Sequence, residues 1–268
     1  SIAYTTHPYK WMTIGAELSH IENATLEDVK RFFFKHYRPA NAILTVAGHV
    51  TTAQVRQLAE KWFGDIPSGE HYIRHLPQEP VQTTPRKLEV HANVPVDAFY
   101  KCWHICSRTD RRYYATDLLT EVLSGGGSSR LFQSLVKEKQ LFSNIGCYHF
   151  GSIDAGLAAI EGKLVKGVKM EEAEAAVEAE LQKIKNTLVE EKELRKVKNK
   201  TESLIAFEDM SLMNRAGSLS FCSLLGNTNM INEELERYQG VSAAELRQEA
   251  EIIFDPNNSV TMYYFGNH

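Results

Sequence analysis

Ser124-Gly125-Gly126-Gly127-Ser128-Ser129-Arg130-Leu131-Phe132, continued by Gln133-Ser134-Leu135-Val136-Lys137-Glu138-Lys139-Gln140-Leu141, separates two periodic runs and decides how the chain is read. Three glycines free the backbone from β-carbon sterics. The two serines are then expected to cap a new helix, in which Leu131, Phe132, Leu135 and Val136 follow the 3.6-residue period. A helical run from Tyr113 to Leu123 precedes the turn, so the stretch reads as helix, glycine turn, helix. A phosphate cradle is the other reading of glycines that open onto a helix N-terminus. It lacks both the Gly-Lys-Ser/Thr of a P-loop and a Gly-x-Gly-x-x-Gly after a strand.

Working outward, 268 residues allow one large or two medium domains. A formal net charge of -4 gives no basic stripe for a nucleic acid, and no apolar run is long enough to span a membrane. Ser1 to Met12 carries no charged n-region followed by an apolar core, so no signal peptide is read there. The chain starts at Ser1 without an initiator methionine, as a processed or trimmed piece would. Of the four cysteines, Cys102 and Cys106 share an apolar run, where four residues of strand hold their α-carbons roughly 13 Å apart. That is beyond disulfide reach.

In chain order, Ser1 to Ile21 reads as an irregular entry with an exposed aromatic patch. Thr25 caps a helix, with Asp28 completing a capping box. That helix is expected to bury Val29, Phe32, Phe33 and Tyr37 before Pro39 stops it. Asn41 to Ala47 is expected to be a buried strand ended by Gly48, and Thr52 to cap a helix carrying Val55, Leu58, Ala59, Trp62 and Phe63 on one side. Asp65 to Pro85, with four prolines, reads as a linker and a domain boundary. Strands follow at about 87–94 and 98–106, then the two helices around the glycine turn, then strands at about 144–150 and 155–164. Helices are expected at 170–186, 190–209 and, less regularly, 210–224, with a last helix at 242–254 and a last strand at 259–265. This grouping indicates an α+β fold, an antiparallel or mixed sheet with helices packed on one face. The charge runs after Met170 alternate in sign, as a solvated face does.

One pattern occurs twice. Thr25 through Pro39-Ala40-Asn41 and Ser242 through Pro256-Asn257-Asn258 are each a hydroxyl cap, an amphipathic helix, a proline, an asparagine and an apolar strand. The caps and the prolines are offset by the same 217 residues (242 − 25 and 256 − 39). A duplicated module is expected from this, one copy complete and the other present only as its tail. The counterpart of Lys87 would then fall roughly 130 residues upstream of Ser1 (87 − 217).

The residues resemble the insulinase-like peptidases known as M16, which include pitrilysin and the mitochondrial processing peptidase. The resemblance runs through His7-Pro8-Tyr9 with Ile14-Gly15, the Thr25 helix, Asn41 to Gly48, Gly126 to Phe132, Leu135-Val136-Lys137-Glu138-Lys139, and Glu193-Leu194 with Lys198-Asn199. It implies modules of the LuxS/MPP-like metallohydrolase type, facing each other as a clam shell that closes on peptides. Residues 1–66 would be the tail of the first, catalytic-type module, 67–85 a linker, and 86–268 the second, substrate-closing module. The first module would hold zinc through His-x-x-Glu-His, whose histidines share one helix face and leave an open position for a water that the glutamate deprotonates. None of the ten histidines here fits that motif. His71 and His75 are four apart, but in the proline-bounded linker.

The resemblance therefore implies a zinc-dependent endopeptidase as the parent protein, with zinc held there and neither metal nor catalytic residues in this chain. The partners it implies are a peptide substrate and a missing N-terminal module or a zinc-bearing subunit, in a periplasmic or secreted setting. The family pattern Arg-Glu-Lys-x-Gly-Leu-x-Tyr, which grips the scissile region, reads here Lys137-Glu138-Lys139-Gln140-Leu141-Phe142-Ser143, one residue shorter. Lys137 and Ser143 are thus the expected substrate-binding residues, with Arg130 either a further cation facing the chamber or the partner of an acidic neighbour. The alternative is a non-catalytic subunit of the same fold that serves assembly or partners a zinc-bearing chain.

Overall fold

A computed structural model describes residues 2–266; Ser1, Asn267 and His268, the ends of the expected first and last segments, lie outside the described residues. The chain divides into two compact units. One holds the residues up to Thr5, Glu79–Ser203 and the residues from Leu235 on; the other holds Thr6–Gln78 and Leu204–Glu234.

The first unit is built on five strands, β1 (Arg86–Ala92), β2 (Ala98–His104), β3 (Phe142–Phe150), β4 (Leu157–Leu164) and β5 (Ser259–Gly266). Their order is β1-β5-β2-β4-β3. β5 runs parallel to β1 and antiparallel to β2, and β4 is antiparallel to both β2 and β3, so the sheet is mixed as expected. Alternation sends Phe99, Trp103, Ile160 and Tyr263 to one face, where they are buried. Leu118, Leu119 and Leu123 of one helix (Tyr113–Ser124), Leu181 and Ile184 of a second (Met170–Asn186), and Leu246, Ala250 and Ile253 of a third (Ala243–Ile253) are buried with them. Lys101, also buried, ion-pairs there with Glu174 at 2.8 Å and with Glu178, both on the second of these helices. The opposite face, with Leu88, Met262, Tyr264, Tyr100, Ala159 and Tyr148, stays partly or fully exposed. Glycine is needed at 162 because a Cβ there would meet Phe142 Cδ1 at 2.5 Å.

The second unit departs from expectation. The Thr25 capping box forms and starts the helix Leu26–His36, yet Val29, Phe32, Phe33 and Tyr37 are exposed rather than buried. Residues 42–47 belong to no helix or strand, and Ile43, Leu44 and Val46 are exposed. β-branched side chains favour an extended backbone, but a strand also needs a neighbour for its N–H and C=O groups, and among the described residues no strand pairs with this stretch. The next helix, Thr52–Phe63, is capped by Thr51 with Gln54, one residue earlier than expected. Its Leu58, Trp62 and Phe63 line an open apolar concavity of about 490 Å³ together with Leu44 and Val46. The entry segment is more ordered than expected, holding a 3-10 turn at Pro8–Lys10 and a short helix at Leu18–Glu22. No helix or strand lies between 67 and 85. Helices at Glu191–Glu208 and Leu212–Leu224 match expectation, whereas Met230–Gln239 is helical without having been expected.

The repeated pattern is real at the level of local geometry. Both caps are reciprocal capping boxes, both helices have 11 residues, and both are followed by a proline-initiated 3-10 turn, Pro39–Asn41 and Pro256–Asn258. Burial separates the two copies. Leu246, Ala250 and Tyr263 are 0%, 0% and 1% exposed, while their counterparts Val29, Phe33 and Val46 are 58%, 49% and 47% exposed.

Candidate functional site

The glycine turn begins where Gly125 N–H closes the preceding helix on Glu121 O at 2.7 Å and Gly126 takes a φ of +99°, a left-handed value that favours glycine. The serines do not cap the next helical segment. Ser129 is buried and its hydroxyl has no hydrogen-bond partner among the described residues, while Ser128 Oγ accepts from Lys196 Nζ at 3.1 Å. Nor does the expected α-helix run on. After Arg130 and Leu131, residues Phe132–Glu138 widen into a π-helix, seen in Lys139 N–H reaching Ser134 O at 2.9 Å. A stretch of this kind costs regular hydrogen bonding and recurs at functional sites. It is fastened by Ser134 Oγ, which donates to Glu180 at 2.6 Å, a carboxylate that also takes Lys183 Nζ at 2.7 Å. Burial alone would raise the Glu180 pKa, but these donors hold it below the ordinary carboxylate value. The turn that leaves the π-helix puts Gln140 at φ +54°, an uncommon conformation for a residue with a β-carbon.

The three expected substrate contacts stand apart from one another. Arg130 makes a bidentate pair with Glu193, Nε to Oε1 at 3.0 Å and Nη2 to Oε2 at 2.7 Å, which ties the turn to the helix Glu191–Glu208. Lys137 is exposed on the π-helix, its Nζ 5.5 Å from the Phe132 ring centroid. Ser143 sits in a β-bulge between Phe142 and Asn144 and donates to Lys163 O at 3.1 Å. No hydrogen bond or ion pair joins any two of them among the described residues.

Among the described residues no group of three or more His, Cys, Asp or Glu side chains is placed to hold a metal ion. The residues present do not fit a zinc site. His71 Nδ1 lies 2.9 Å from Ala40 O, so one of its nitrogens is occupied by backbone. On the helix Tyr113–Ser124 the acids also have protein partners: Asp117 accepts from Tyr238 OH at 2.5 Å and lies 3.7 Å from His149 Nδ1, and Glu121 pairs with Lys200 Nζ at 2.5 Å. His149 Nε2 is 3.1 Å from Tyr113 OH. Burial lowers the His149 pKa, against the pull of Asp117.

One constellation escapes the sequence. On the exposed face of the sheet, Tyr100, Glu161 and Gly146 share one cross-strand row, and Cys102, Ala159 and Tyr148 the next. Tyr148 OH donates to Glu161 Oε2 at 3.1 Å. Alternation along β4 could have put Glu161 on a solvent face, but its cross-strand neighbours depend on register.

These features agree with comparisons to known proteins. The model of the peptidase M16 inactive domain matches residues 23–201. The zinc protease PqqE of Helicobacter pylori is 26% identical over 264 residues, covering 97% of this chain and 59% of that protein. The uncharacterized zinc protease YmxG of Bacillus subtilis is 22% identical over 269 residues, covering 97% and 62%. The chain thus spans about three-fifths of the length of these relatives. Among solved structures, a protease from Helicobacter pylori superposes with a TM-score of 0.90 at 25% identity, covering 98% of this chain and 64% of that one. A peptidase M16 inactive domain from Pseudomonas fluorescens superposes with a TM-score of 0.83 at 17% identity, covering 99% and 63%, and shows the fold. The match across the Thr25 helix, the glycine turn and the helices that hold it establishes that this chain belongs to the peptidase M16 family, in the part described as its inactive domain.

Proposed function

We propose that this chain is the non-catalytic part of a zinc-dependent M16 endopeptidase, inert alone, which closes over a peptide beside a module that carries His-x-x-Glu-His. In this reading residues 1–66 belong to the catalytic-type module, 67–85 link, and 86–268 form the closing module. The observation that carries it is the motif written twice. Around β5 the motif has a parallel strand on one side, an antiparallel strand on the other and helices on its apolar face. Around 42–47 the same motif is bare, and burying apolar surface of that kind is the main driving force for association. Relatives named zinc proteases, longer than this chain, support the same reading.

A second reading, a non-catalytic subunit that serves assembly, is favoured by one observation. Lys137 and Ser143 stand where the family pattern has Arg and Tyr, and Ser143 spends its hydroxyl on a backbone carbonyl. Lysine cannot reproduce the bidentate fork of arginine.

The test combines the chain with an M16 module that carries His-x-x-Glu-His and follows hydrolysis of an internally quenched peptide. The peptidase reading expects turnover only in the mixture; a zinc module that complexes the chain yet hydrolyses nothing would select the assembly reading.

A further inference from the structure

The exposed face of the sheet carries a carboxylate, Glu161, beside two tyrosines, Tyr100 and Tyr148. Glu161 lies on β4, between β2 and the edge strand β3. Across from it stand Tyr100 on one side and Gly146 on the other, so toward β3 no side chain covers it. Tyr148, one row away, fixes one of its oxygens by donating to Oε2 at 3.1 Å. The nearest residues along the strand on that face are Ala159 and Lys163. Lys163 lies on the side away from Tyr148, in the row of Asn144. Among the described residues no cation is paired with Glu161 at all. A carboxylate beside two tyrosine rings attracts a cation twice over, by charge and by the ring quadrupoles.

We propose that Glu161, Tyr148 and Tyr100 form a subsite for the ammonium or guanidinium group of a lysine or arginine side chain in a bound peptide. The proposal rests on the reading of this chain as one that handles peptides, and adds a preference for basic side chains. Tyr148 supports it as a donor that stays protonated, its pKa pushed up to about 12 by burial first and by Glu161 second. The ammonium of lysine or the guanidinium of arginine would contact the carboxylate edge that Tyr148 leaves open, with its alkyl stem on Ala159 and the rings.

Fluorescence anisotropy tests it on the whole chain with two labelled dodecapeptides that differ only in a central arginine or its uncharged isostere citrulline. The arginine peptide is expected to bind roughly tenfold more tightly, the scale of a partly desolvated charge and ring contact. Glu161→Gln is expected to erase that preference while leaving the citrulline peptide unchanged, and Tyr148→Phe to narrow it. Glu161 is exposed, so an unshifted Tm checks that Glu161→Gln leaves the fold intact. Equal binding of both peptides by the unsubstituted chain, or a preference that survives Glu161→Gln, overturns the subsite alone. Binding of neither peptide overturns the subsite together with the peptide-handling reading.

Discussion

Asn41 and Asn258 make the same bond in two different settings: each side-chain amide donates to the carbonyl five residues earlier, Asn41 to His36 at 3.3 Å and Asn258 to Ile253 at 3.0 Å. Each also accepts from a backbone N–H, of Tyr72 and of His104 respectively. Only Asn258 goes on to donate to a strand end, at His104 O, 2.9 Å away.

Asn258→Ala would remove the donor to Ile253 and His104 and the acceptor for His104 N–H, leaving partly buried backbone groups unsatisfied. The expected loss is about 1 to 3 kcal/mol in urea unfolding. Asn41→Ala, at a site among exposed side chains where water replaces the lost partner, is expected to cost less than about 0.5 kcal/mol. Equal losses would show that the two motifs do equal structural work.

Gln140→Gly places a residue without a β-carbon at φ +54°. Left-handed backbone costs a side-chain-bearing residue about 1 kcal/mol, part of which glycine returns through the entropy of the unfolded chain. A net stabilisation of about 0.5 kcal/mol is expected by chemical denaturation; a destabilisation of similar size would contradict it.

Lys101→Met strips the buried cation from Glu174 and Glu178. Removing one partner of a buried pair is costly, here about 2 to 3 kcal/mol because both carboxylates keep some access to water. Burial pushes the Glu174 pKa up, but hydrogen bonds from Lys101 and Tyr263 outweigh it and the net direction is down. A depressed carboxylate stabilises the folded state above its unfolded pKa and loses that contribution as pH falls through the folded one. The advantage of the unsubstituted chain over Lys101→Met is therefore expected to be full at neutral pH and to shrink in acid below the ordinary carboxylate range. Unfolding series at several pH values check this, and an advantage independent of pH would contradict it.

His149 is expected to titrate below a free imidazole, followed by its ring signals in NMR. Burial favours the neutral ring, so the fold loses stability as pH drops from the ordinary imidazole value toward the lower folded one. A ring that titrates above the ordinary value would mean that the Asp117 carboxylate dominates instead.

Locality decides how much of the structure was legible in the sequence. The capping box at Thr25, the hydroxyl cap at Ser242, the strands expected at about 98–106 and 155–164 and found at Ala98–His104 and Leu157–Leu164, and the charged helix Met170–Asn186 are set by neighbours a few residues apart. The M16 resemblance was carried by such segments in order. Burial of the Thr25 helix and pairing of 42–47 failed because amphipathic and β-branched patterns state a preference for a partner without supplying one. The π-helix after Leu131 was hidden because its apolar spacing also fits a 3.6-residue period. For Arg130 pairing with an acid was one of two readings, but the choice of Glu193, 63 positions away, depends on tertiary packing. The Glu161 row needed strand register.

In the proposed function this chain supplies neither a zinc site nor turnover by itself. Peptide hydrolysis measured together with bound zinc, on the chain alone and then with an equimolar His-x-x-Glu-His module, decides this. Neither stoichiometric zinc nor turnover is expected from the chain alone, and turnover is expected once the second module is added. One zinc per chain with peptide cleavage by the chain alone would contradict it.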